Sequence, residues 1–182
     1  MDHPLLLALN GLLREPGAGL WAWLGTRPAT GAYVAFSLIW LWSSPARRRW
    51  LPAVLLAVVL ADTSTNHLWK PAFERARPCA EQPALLTAPP GEPRRCGQDF
   101  SFPSGHSASS AAIAAASLSP PLVALSLLSG TQRVVTAQHW PTDVLGGWTW
   151  GAFVGLSVRW ALARRLRREK PSAEVPAAGP HR

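Results

Sequence analysis

The stretch WLPAVLLAVVLADTSTNHLW, residues 50–69, carries a single formal charge, Asp62. At about 1.5 Å per residue, a helix of this length reaches roughly 30 Å, the hydrocarbon thickness of a bilayer. A surface helix of a soluble domain shows a continuous polar stripe at period 3.6, and this stretch has none. Residues 28–46 (PATGAYVAFSLIWLWSSPA), 105–132 and 144–158 are likewise free of Asp, Glu, Lys and Arg. These runs predict transmembrane helices. Pro120-Pro121 interrupts the run 105–132, and a proline pair usually ends one helix and starts the next. Either two helices, 104–118 and 121–138, meet there in a tight turn, or one helix kinks.

The composition averages conceal this pattern. The chain has 182 residues, 18 Lys plus Arg against 10 Asp plus Glu, a net charge of +8 and 10 Trp. Only 15% of residues are charged and the mean hydropathy is +0.07. Ten tryptophans and so few charges exclude a disordered chain. A basic pI of 11.2 with long uncharged runs argues against a compact nucleic-acid module. Near the start, residues 4–13 and 17–25 are short apolar pieces separated by Arg14-Glu15-Pro16. They predict one broken span or an interfacial hairpin. The expected fold is all-α, a polytopic membrane bundle of five to six helices. The start lacks the basic region of a cleavable signal peptide.

Basic residues set the expected orientation. Arg47-Arg48-Arg49 precede the residue 50–69 stretch, and Arg164, Arg165, Arg167, Arg168 and Lys170 follow the last. With both clusters cytoplasmic, loop 70–103 and the region of His139 face outward. Residues 1–170 are expected to form one membrane domain. Residues 171–182 (PSAEVPAAGPHR), rich in Pro and Ala, are expected to be a disordered cytoplasmic tail.

Three polar sets fall on that outward side. Lys70 and Arg77-Pro78 end the first; taken singly, they read as cations snorkelling at a helix end. Phe102-Pro103-Ser104-Gly105-His106 opens an apolar helix, with Ser104 suited to its N-cap and free N–H groups suited to an anion. In the third set, Arg133, His139 and Asp143 are spaced R-x5-H-x3-D. Pro141 fits a first helical position, which puts Asp143 one turn from His139, able to accept from its ring and leave the other nitrogen nucleophilic. A structural His–Asp pair is the plain alternative.

In this order, Lys70-x6-Arg77-Pro78, Pro103-Ser104-Gly105-His106 and Arg133-x5-His139-x3-Asp143 resemble the three-part signature of the type-2 phosphatidic acid phosphatase superfamily, which vanadium-dependent haloperoxidases share. The PSGH string alone arises by chance in on the order of one in a thousand chains of this length. Gln132 stands where the family usually has Ser or Thr. The resemblance implies that Lys70, Arg77 and Arg133 clamp phosphate oxygens, helped by Ser104 and the N–H of Gly105. It implies that His139 attacks phosphorus, Asp143 holds its ring, and His106 serves as general acid and then base. Three cations would carry the transition-state charge, so neither metal nor other cofactor is expected. Because His106 and His139 must share one phosphate, the Pro120-Pro121 break is expected to be a hairpin.

The implied partner is a membrane lipid phosphate, in the bilayer and without nucleic acid. Family candidates are undecaprenyl pyrophosphate, phosphatidylglycerol phosphate, phosphatidate and the 1-phosphate of lipid A. The minimal chain leans toward an isoprenoid diphosphate, hydrolysed at the periplasmic face of a bacterial inner membrane. Vanadate-dependent oxidation and a non-catalytic phospholipid binder are the competing readings. Asp62, Asn66 and Lys70 share one helix face at i, i+4, i+8, with Asp62 expected to support the site from below. Cys79 and Cys96 are the only cysteines. On a periplasmic side they form either a loop-closing disulfide or two unpaired thiols.

Overall fold

The computed structural model describes residues 2–14, 17–88, 93 and 95–168, and no strand occurs among them. Lys170 and the tail expected from Pro171 onward lie outside the described residues. In chain order the helices are α1 (Asp2–Arg14), α2 (Ala18–Leu24), α3 (Arg27–Trp42), α4 (Pro45–Arg48) and α5 (Leu51–Ser64). A π-helical turn, Thr65–Trp69, leads into α6 (Lys70–Phe73); then come α7 (Pro78–Glu81), α8 (Gly105–Ser117), α9 (Pro120–Val135) and α10 (Pro141–Arg168). Segments outnumber the five to six expected because short pieces cover the ends of the bundle. The long runs are α3, α5 through α6, α8, α9 and α10.

Local chemistry accounts for the boundaries. Thr26 caps α3 by accepting from the N–H of Ala29, with Pro28 in the first turn. Leu51–Phe73 continues through the π turn as one 23-residue helix, long and apolar enough to cross a membrane. The run 105–132 does break at its prolines. Leu118 turns left-handed at φ 51° after α8, and Pro120-Pro121 begin α9. That hairpin returns the chain to the end where α8 started.

The core lies where α10 crosses α8 and α5. Gly147, Gly151 and Gly155 recur every four residues along α10, facing Ala108, Ala112 and their neighbours on α8. A Cβ on Gly151 would sit 2.0 Å from the carbonyl oxygen of Ala108, so only glycine lets these backbones approach so closely. Ala57, Ala61, Ala112, Ala116 and Leu122 are fully buried around this seam.

The N-terminal pieces form a hairpin packed across one end of the bundle. Asp2 accepts from the N–H of Thr142 at 3.2 Å and from Arg75, while the Asn10 amide donates to the carbonyl of Val135 at 2.7 Å. Both partners sit where α9 ends and α10 begins, so α1 lies over that end. The α2 segment joins it, with the amide of Gln132 donating to the carbonyl of Trp21 at 3.1 Å. At the opposite end the indole of Trp40 donates to Ser119 at 2.8 Å, tying α3 to the α8–α9 turn. Between these ends a cavity opens beside α3.

Candidate active site

Five elements deliver side chains to the head of this cavity, which holds about 1110 Å³. Lys70 follows the π turn, Arg77 precedes Pro78 in extended backbone, and His106 lies in the first turn of α8. Arg133 lies in the last turn of α9, and His139 in the connection to α10. These five and Gly105 line the cavity together. Further down, Phe36, Val58, Ile113, Leu125 and Leu128 make it apolar. Residues from motifs separated by dozens of positions therefore meet in one place.

His139 is buried, and both ring nitrogens are engaged. Its Nδ1–H donates to the carbonyl oxygen of Ser101 at 2.8 Å, because a carbonyl can only accept. The Nε2 lone pair therefore accepts from Nη1 of Arg77 at 3.1 Å, and both residues line the cavity. Burial holds the imidazole well below its ordinary pKa of 6.5, at about 4, with Asp143 opposing the shift and the Arg77 charge adding to it.

Asp143 departs from expectation. Its Oδ2 is 3.7 Å from Nδ1 of His139, too far for a hydrogen bond. That oxygen instead accepts from the backbone N–H of Trp140 at 2.8 Å and from the Ser101 hydroxyl, while Oδ1 accepts from Arg75 at 2.7 Å. The reason is its position: three residues beyond the N-cap of α10, an acid reaches back to the cap's own N–H. Asp143 thus orients His139 at one remove, through Ser101. Ser101 and Arg75 escaped the sequence reading. The contact from Ser101 to His139 is a loop carbonyl, which carries no side-chain signature.

Ser104 also differs from its expected role. It caps α8, but it is fully buried and does not line the cavity. Its N–H donates to the carbonyl of Asp143 at 2.9 Å, and its hydroxyl accepts from the hydroxyl of Ser107 at 3.0 Å. The serine locks α8 to the start of α10 and lies outside the cavity lining. Gly105 does line the cavity, and a Cβ there would come no nearer than 3.8 Å to Asn66 and Thr65. Arg133 leaves its buried Nε without a protein partner among the described residues. Gln132 is buried, tied to α2 through Trp21.

One further group at this site was not anticipated. Asp99 accepts from Lys70 through Oδ2, from Nη2 of Arg77 at 2.7 Å through Oδ1, and from Nε of Arg77 at 2.9 Å through its backbone carbonyl. Burial would raise the carboxyl, but the hydrogen bond from Lys70 and the charge of Arg77 outweigh it and hold the group at about 2. Cys79 and Cys96 form a disulfide beside Arg77, with Cα atoms 5.7 Å apart, so the open question of their state resolves to a bridge. Asp62 and Asn66 line the same cavity as Lys70, despite the π turn between them. Among the described residues, no three His, Cys, Asp or Glu side chains cluster as metal ligands.

Residues 50–167 match the family model of the PAP2 superfamily. Among solved structures, the chain is similar to a transmembrane PAP2-type phosphatidylglycerolphosphate phosphatase from Bacillus subtilis. The identity is 18% and the TM-score 0.46, over 94% of this chain and 81% of the other. No curated protein matches.

Proposed function

The chain belongs to the PAP2 superfamily, and from the chemistry of its site we propose that it hydrolyses a membrane lipid phosphate through a phosphohistidine. The carrying observation is the unprotonated Nε2 of His139, which accepts from Arg77 at the wall of a cavity whose head is lined by Lys70, Arg77, Arg133 and His106 and whose depth is apolar. The three cations and the N–H of Gly105 would hold the non-bridging phosphate oxygens. Nε2 of His139 would attack phosphorus in line, forming a P–N bond as the bond to the leaving oxygen breaks. His106, beside it, would give that oxygen a proton. A water would then give a proton to His106 and attack phosphorus, releasing phosphate and restoring His139. Positive charge from the three side chains offsets the charge developing in both steps.

A membrane setting is supported by the 23-residue apolar helix and by apolar side chains facing outward from the bundle, such as Ile39 at 69% exposed and Val59 at 60%. The site lies at the end opposite the Arg47–Arg49 and Arg164–Arg168 clusters. That separation supports a cytoplasmic C-terminal end and a periplasmic site in a bacterial inner membrane.

The cavity also bears on the lipid. Asn66, Ser109 and Ser129 line it one turn from Lys70, His106 and Arg133. A polar collar of about this depth, roughly 5 Å below the phosphate, suits the hydroxyl or ester oxygens of a glycerophospholipid. An isoprenoid diphosphate cleaved at its outer phosphate would place its inner phosphate at the same depth, which these polar groups also suit.

The test is phosphate release by purified protein in detergent without divalent metal, from phosphatidate, phosphatidylglycerol phosphate, undecaprenyl pyrophosphate and lipid A. Hydrolysis inhibited by vanadate and lowered on the order of 10³-fold or more in His139→Ala supports the mechanism. Retained hydrolysis in that variant removes the nucleophile. Bromide oxidation with vanadate and no hydrolysis would favour the peroxidase reading, and binding without turnover the phospholipid-binder reading. A preference for undecaprenyl pyrophosphate would assign the collar to an inner phosphate, and a preference for a glycerophospholipid to hydroxyl or ester oxygens.

A further inference from the structure

Lys70 and Arg77, two of the three cations assigned to phosphate, are already bridged by a carboxylate. Asp99 spans them with one oxygen on each side chain, the arrangement that two phosphate oxygens would take. The cations are nearly buried, at 8% exposed each, whereas the Asp99 side chain is 54% exposed. A rotation of this one side chain toward solvent would therefore vacate the position without moving the backbone.

The loop that carries Asp99 is built onto Arg77. Cys96 is bonded to Cys79, two residues after Arg77. Gly97 follows, and a Cβ there would lie 2.7 Å from the guanidinium carbon of Arg77, so this backbone lies against the cation because it has no side chain. The carbonyl of Asp99 accepts from Arg77, and the N–H of Ser101 donates to the carbonyl of Arg75 at 2.7 Å. Both sides of Asp99 are thus pinned to the segment that supplies Arg77, while its carboxylate remains free to turn. The other acid lining the cavity, Asp62, sits two turns below Lys70 along its helix.

We propose that Asp99 is the resident anion of the phosphate site, displaced when phosphate binds and returning to Lys70 and Arg77 to expel it. The inference rests on the assignment of these cations to phosphate. Two anions cannot occupy the same donors, and like charges held side by side repel. Asp99 therefore weakens the grip on free phosphate, the product that a site with three clustered cations would otherwise retain. It acts by competing for the cations and takes no part in bond making.

The experiment is calorimetric titration of the full chain in detergent with orthovanadate and with inorganic phosphate, comparing wild type, Asp99→Asn and Asp99→Glu. Asp99→Asn keeps the shape and removes the charge. Its affinity for both anions should rise at least about tenfold, with KM and kcat for lipid phosphate both falling as product release slows. Asp99→Glu, which restores the charge, should return anion affinity toward the wild-type value. If Asp99 only holds Lys70 and Arg77 in place, Asp99→Asn will bind both anions more weakly or unchanged, and the proposal is wrong. Wild-type protein that binds neither anion would remove the phosphate assignment itself and this inference with it.

Discussion

His139 is held by a backbone carbonyl, and its carboxylate partner acts through a serine. This arrangement fixes the proton on Nδ1 and leaves Nε2 as the lone pair. Burial keeps the ring neutral until the pH approaches 4. The sign follows from the direction of the shift: a depressed histidine loses its lone pair only as pH falls through the depressed value. The acid limb of the pH–rate profile for hydrolysis should therefore lie near 4, and a limb near 6.5 would contradict this environment. Arg75 carries the charge balance for Asp143, which is fully buried. Truncation to Ala leaves that carboxylate with neutral partners only. It should cost about 3 kcal/mol of stability, read by thermal unfolding. Arg75→Ala unfolding at the wild-type temperature would mean that the ion pair adds nothing.

At the scale of elements, the geometry of the candidate site depends on how closely α8 and α10 approach. The N–H of Ser104 at the start of α8 reaches the carbonyl of Asp143 at the start of α10, so the two helices share one origin. Glycines at 147, 151 and 155 keep them together for about three further turns. Gly151→Ala puts a methyl against the carbonyl of Ala108 and should lower stability by about 1–3 kcal/mol. It should also reduce kcat by tilting His139 away from His106. A variant with wild-type melting and turnover would show that the seam tolerates separation. The α1–α2 hairpin touches the same end from the other side, through Asp2, Asn10 and Trp21. Gln132 belongs to this contact, which is why a residue differing from the family's usual Ser or Thr is accommodated there.

Across the whole molecule, charge is divided between two ends. At one, Arg47, Arg159 and Arg164 lie over the rings of Trp40, Trp50 and Trp160 at 4.2, 3.6 and 3.5 Å. Such pairs suit a headgroup region, where the ring faces lipid and the guanidinium faces water. At the other end, Lys70, Arg77 and Arg133 converge on the cavity. The disulfide belongs to this second end and closes a loop whose cysteines are 17 residues apart. Replacing both cysteines with Ser should lower stability by about 3 kcal/mol and strengthen vanadate binding, since Asp99, less firmly anchored beside Arg77, competes less well for the cations. Unchanged melting and vanadate affinity in the double variant would argue that the loop is held without the bridge.

The sequence alone determined the helical layout and most of the site. Apolar runs longer than a soluble helix needs, cut by Pro120-Pro121 and flanked by arginines, define the bundle because solvation acts on each segment separately. Lys70, Arg77, His106, Arg133 and His139, which line one cavity, were legible because their side chains are chemically distinctive and their spacing survives without coordinates. Only the tertiary structure decided which way Ser104 faces, what orients His139, whether Cys79 meets Cys96, and that Asp99 lies between Lys70 and Arg77. Those outcomes depend on competition for hydrogen-bond partners among loops far apart in the chain. Such partners include backbone groups, which every residue has and no pattern marks. The same holds for the N-terminal hairpin: two short apolar pieces fit a broken span or an interfacial hairpin equally well until Asp2 and Asn10 find their partners at the end that holds the candidate site.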